Sequence, residues 1–86
     1  MISDDFKRRL LAIVKEECVD CTNKKKMADE AEAAGEGYLA TMLHMAARDE
    51  ESHARYAHDW LREHGVPIPD ADERMYQDVE RMFHHR

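Results

Sequence analysis

Glu50 and His53 stand three residues apart, a spacing that on a helix sets a carboxylate beside an imidazole on one face. Together those donors bind divalent transition metals, and a carboxylate-bridged di-iron site draws such a Glu-x-x-His pair from a helix. Ten Glu and six His among 86 residues yield about one such pair by chance, so its setting has to carry the argument. At about 100° per residue, Leu39, Leu43, Ala46, Ala47, Ala54, Ala57 and Leu61 fall within about 60° of one direction. Glu50 lies near the centre of that apolar stripe and His53 at its edge, one turn along, whereas Asp49 and Glu51 point well off it.

A second stripe repeats the anomaly. Phe6, Leu10, Ile13, Val14, Cys21, Ala28 and Ala31 recur at helical spacing with Glu17 close to their middle, while Glu16 points away. An unpaired buried carboxylate costs several kcal/mol, so each of the two Glu needs a partner, a raised pKa or a cation. Lys24 falls on this second stripe and offers one partner; a wet helix end is another way out. Metal ligation by Glu17, Glu50 and His53 is the reading that uses all three.

The elements that must position these groups are helical. The chain is rich in Ala, Glu, Met, Arg and Lys, holds three Gly and two Pro, and has no convincing period-2 run. Ser3 reads as the N-cap of a first helix, with Asp4 and Asp5 at its positive dipole end, that runs to about Ala34 and breaks at Gly35-Glu36-Gly37. A second helix runs from about Tyr38 to His64 and stops at Gly65. Pro67 and Pro69 mark an extended connector. Asp70 and Glu73 then read as the capping box of a third helix, about Ala71 to His85, with an apolar stripe of Met75, Tyr76, Val79, Met82 and Phe83. The organisation expected is a helical hairpin over residues 1–65, followed over 66–86 by a Pro-containing linker and an amphipathic C-terminal helix.

Two helices of about 45 and 40 Å joined by a tight turn lie antiparallel and leave much of each stripe wet. A second copy would cover it. Pairing two hairpins gives a four-helix bundle whose two-fold axis brings two Glu17, two Glu50 and two His53 into one core, the ligand count of a di-iron carboxylate site. Four carboxylates carry about −4, which two divalent irons neutralise. A domain of this size buries only about 60 to 65% of its unfolded surface, which also favours an oligomer. The third helix serves either as cover for the bundle or as a contact between dimers.

Glu17, Ala28, Ala31, Gly35, Glu50 and His53, with the two Glu 33 positions apart, resemble one half of a rubrerythrin-like, ferritin-like domain. Helix 2, through Arg48-Asp49-Glu50-Glu51-Ser52-His53-Ala54 and Asp59-Trp60-Leu61-Arg62, also looks like the encapsulated ferritins; the resemblance covers about Leu10 to His64. It implies helical hairpins, iron bound at a homodimer interface by Glu17, Glu50 and His53, and ferroxidase activity toward Fe(II) with dioxygen or peroxide. The donor set also suits Mn or Zn. A different turn length would bring Asp20 rather than Glu17 opposite Glu50. No Gly-rich tail with a cargo peptide and no four-cysteine rubredoxin-like module is present, so neither an encapsulin shell nor a built-in electron donor is expected.

Other classes are weaker. Cys18-Val19-Asp20-Cys21 places two thiols at i and i+3, but mid-helix beside Glu16, Glu17 and Asp20, where a thiol pKa rises; a Cys-x-x-Cys redox protein ranks third. A non-catalytic helical oligomer or interaction module ranks second. The net charge of −6 disfavours nucleic acid despite Lys24-Lys25-Lys26, and no stretch suits a membrane span or a signal peptide, so a cytoplasmic protein is expected. His44, His58 and His64 read as exposed or interfacial, and His84 and His85 as cations at a helix C-terminus, with room for a transient surface metal site. Tyr38 and Tyr56 read as surface or packing residues.

Overall fold

A computed structural model describes residues 1–84 as three helices, α1 (Asp4–Ala33), α2 (Gly37–Glu63) and α3 (Asp70–His84), with no strand among the described residues. The Ser3 hydroxyl accepts a hydrogen bond from the Phe6 amide at 3.1 Å and starts α1 as its N-cap. α1 and α2 end in the same way. The Glu36 amide donates to the Ala31 carbonyl at 2.9 Å and the Gly35 amide to Glu32 at 3.0 Å, while Val66 reaches Leu61 at 2.9 Å and Gly65 reaches Arg62 at 3.1 Å. Both are Schellman closures, and they require φ of +80° at Gly35 and +68° at Gly65, which a side chain would strain. The expected helix limits hold to within a residue or so.

One local expectation is corrected. Glu73 does not close a capping box at the start of α3; its carboxylate accepts from Arg62 at 3.0 Å and Gln77 at 3.1 Å and lies 2.9 Å from His58 Nε2. Ion pairing across the α2–α3 connection outcompetes a local cap.

α1 and α2 run antiparallel and close together, because the residues between them are small. Ala28, Ala31, Ala40, Ala47 and Ala54 are buried, and the Cys21 thiol donates to the Ala47 carbonyl at 3.2 Å. α3 lies along one side of this hairpin. Its Tyr76 and Val79 join Val14, Cys18, Cys21, Ala47, Ala54, Ala57 and Leu61 in one core, with Met75, Met82 and Phe83 packed partly buried at the margin. The third helix is thus cover for its own hairpin.

That placement corrects two further expectations. Glu51, read as pointing off the apolar face, is 3% exposed, and His58, read as exposed or interfacial, is 6% exposed; α3 covers the flank of α2 that carries both. The opposite side of the hairpin has no such cover. Phe6, Ile13, Leu39, Met42 and Tyr56 are exposed, and Phe6, Ile13 and Tyr56 line an open apolar groove of about 490 Å³ with His53 and Trp60.

Leu61 is fully buried at the centre of the core. Leu61→Ala should lower unfolding free energy by about 2–5 kcal/mol in urea titrations, whereas Tyr38→Ala, at an exposed position, should change it by about 0.5 kcal/mol or less.

Candidate metal site

Glu17, Glu50 and His53 all lie on the uncovered side of the hairpin, at the seam between α1 and α2. Their proximity follows from the antiparallel register, which sets Glu17 opposite His53 and Lys24 opposite Glu50. His53 Nδ1 lies 3.1 Å from Glu17 Oε2, and the Lys24 ammonium donates to Glu50 Oε2 at 2.7 Å. The predicted ligands therefore form two neighbouring pairs within one chain. They do not converge: the ligand atoms of Glu17, Glu50 and His53 are not all within 4.8 Å of one another. Asp20, the alternative ligand, is exposed.

Burial grades across these residues. The side chain of Glu50 is 12% exposed, that of Glu17 23% and that of His53 59%. Glu50 Oε1 is buried with no hydrogen-bond partner among the described residues, so half of this carboxylate's accepting capacity is unmet. Glu50 in turn raises the pKa of Lys24, chiefly through their hydrogen bond. The donor set, two carboxylates and an imidazole of which His53 lines the apolar groove, fits Fe(II), Mn(II) or Zn(II) and is poorly suited to soft thiophilic ions.

A second carboxylate cluster lies under α3, and sequence reasoning missed it. Glu51, Glu80 and His84 place ligand atoms within 4.8 Å of one another. This cluster is partnered largely within itself: Arg55 donates to Glu51 at 3.3 Å, His84 Nε2 lies 3.4 Å away, and Glu51 and Glu80 interact side chain to side chain, while Glu80 Oε1, like Glu50 Oε1, is buried without a hydrogen-bond partner among the described residues. Burial together with the neighbouring Glu51 charge pushes Glu80 up to about 7. Burial also acts to raise Glu51, but the Glu80 hydrogen bond, His84 and Arg55 outweigh it and hold its carboxyl below the usual range. The two acids thus share one proton near neutrality. A period-3.6 reading could have found the cluster only by knowing which flank of α2 the third helix takes. A third group, Asp29, Glu32 and His44, sits near the α1–α2 turn with its carboxylates exposed.

The same flank holds His58, whose ring stacks on Tyr76 at 3.7 Å between centroids and whose nitrogens face Asp59 at 3.1 Å and Glu73 at 2.9 Å. It is a structural histidine bridging α2 and α3. His84 belongs to the Glu51 cluster; His85 lies outside the described residues. Cys18 and Cys21 are free and fully buried, and burial first, with carboxylate charge second, pushes their thiols up to about 11 and 12. Thiolate chemistry at neutral pH is thereby disfavoured. Tyr38 and Tyr56 are exposed. No described helix is long and apolar enough to cross a membrane. Comparison with family models, curated proteins and solved structures returned no match.

The Glu51–Glu80 pair has a pH signature. Glu80 has a higher folded than unfolded pKa, so the folded chain holds the extra proton and this contribution is lost as pH rises from about 4.5 through about 7. Glu80→Gln keeps the hydrogen bond without the charge; it should match the parent near pH 5 and exceed its stability by about 1–2 kcal/mol at pH 8, read from urea midpoints.

Proposed function

We propose that this chain is one half of a di-iron carboxylate protein. Two copies pair their uncovered hairpin sides into a four-helix bundle, and the paired Glu17, Glu50 and His53 hold two metal ions between them. The observation that carries the reading is Glu50, a nearly buried carboxylate on an apolar face with one oxygen unpartnered. Lys24 answers Oε2 of that group and leaves Oε1 bare, and the second copy would deepen the burial of that unmet oxygen.

The arrangement supports this reading in two further ways. The exposed Phe6, Ile13, Leu39, Met42 and Tyr56 give the pairing an apolar driving force around the carboxylates, at about 25 cal/mol per Å² removed from water. The incomplete set within one chain is what a shared site requires, since each hairpin supplies only one Glu-x-x-His and one further Glu.

In the paired state Glu17, Glu50 and His53 of each chain would hold the ions, the two Glu from near the middle of their stripes and His53 from the edge of its own. The surrounding apolar side chains exclude bulk water and strengthen the electrostatic hold. When bound, the iron pair supplies the chemistry: two Fe(II) give one electron each, and one dioxygen takes up both with two protons to leave as hydrogen peroxide.

A second reading is a metal-free helical oligomer, and the in-chain Lys24–Glu50 and Glu17–His53 pairs favour it. Anaerobic titration with Fe(II) separates the two. The di-iron reading predicts about one iron per chain, an affinity loss of more than about a hundredfold in Glu50→Ala and in His53→Ala, and a rise in ferric absorbance when air is admitted. A parent chain indifferent to Fe(II), or a Glu50→Ala variant that binds it equally well, leaves the oligomer.

A further inference from the structure

We infer that Lys24 is a displaceable internal cation that occupies Glu50 in the metal-free chain and thereby sets how tightly the site takes a divalent ion. The inference rests on the di-iron reading and concerns a residue that reading does not use. The Lys24 ammonium lies 2.7 Å from Glu50 Oε2 while Oε1 of the same carboxylate is buried and unpartnered. One monovalent charge therefore answers only part of what this carboxylate can accept. A divalent ion on Oε1 would sit within a few ångströms of the ammonium, and two cations at that separation repel strongly on a half-dry face. The ammonium has to leave.

It has the means to do so. The Lys24 side chain is 37% exposed, so its flexible stem can swing the head group into water with no backbone movement. Asp20 stands one helical turn earlier on α1, in the acid-before-base i,i+4 order that favours pairing, is exposed, and already exerts a field on Lys24. The structure thus offers the ammonium two carboxylates: the nearly buried Glu50 when no metal is bound, and the wet Asp20 when the metal takes Glu50. An Arg in this position would grip the carboxylate through a planar fork; Lys is a point charge that lets go. The two Lys24 of a pair of chains would also offset about half of the charge on its four carboxylates, so the hairpins need not wait for metal to associate.

The test is calorimetric titration of Mn(II) into the full-length parent, Lys24→Met and Lys24→Arg, with thermal unfolding of each measured with and without Mn(II). Lys24→Met should bind Mn(II) at least about tenfold more tightly than the parent. It should also unfold at a lower temperature when metal-free, and gain more from added metal. Lys24→Arg should bind no more tightly than the parent. Lys24→Gln, which keeps a donor but no charge, should shift in the same direction as Met and decides the matter if the Met variant does not fold. Parent binding with unchanged or weaker affinity in the uncharged variants overturns the role of Lys24 alone. A parent that binds neither Mn(II) nor Fe(II) overturns the metal reading and this inference with it.

Discussion

The docking of α3 along one side of the α1–α2 hairpin is the constraint from which the remaining features follow. Two long antiparallel helices with wide apolar stripes have two lateral sides to cover, and a single 15-residue helix can cover one. Tyr76 and Val79 fill the core on that side and bring the acidic and basic groups of α3 over the α2 flank that carries Glu51 and His58. The other side keeps its apolar residues exposed, with Glu17, Glu50 and His53 among them.

The two sides treat buried charge differently. Under α3, Glu51 is matched by Arg55, His84 and Glu80, and His58 by Glu73 and a stacked Tyr76. Glu80 Oε1 is buried there without a hydrogen-bond partner among the described residues, and the raised pKa of that carboxyl relieves its charge. On the uncovered side Glu50 keeps an unpartnered oxygen, and the two in-chain pairs leave the three ligand candidates short of convergence. An unfinished polar site inside an unfinished apolar face is economically explained by one missing element that completes both, and a second copy of the chain with bound metal is such an element.

The sequence made the hairpin legible because its helix signals agree with one another: Ser3 at the start, Gly35 and Gly65 in Schellman ends, Pro67 and Pro69 in the connector. Glu17, Glu50 and His53 could be singled out because carboxylates centred on apolar stripes contradict the pattern around them. Glu51 and His58 escaped because a stripe has two flanks and periodicity does not say which one a third helix will take. Glu73 was misplaced for a related reason, since a capping signature and a tertiary ion pair use the same side chain and only the fold decides between them. The Lys24 partner was visible as a residue on the stripe, but its choice of Glu50 depends on interhelical register, which the Gly35 turn sets.

The central claim is that metal and second chain arrive at one site, and native mass spectrometry of the Fe(II)-loaded protein under anaerobic conditions tests it most directly. The account predicts assemblies with an even number of chains, as many irons as chains, and loss of the iron when an assembly is dissociated into single chains. Single chains that retain a stoichiometric iron, or a stable assembly that carries none under saturating Fe(II), would contradict it.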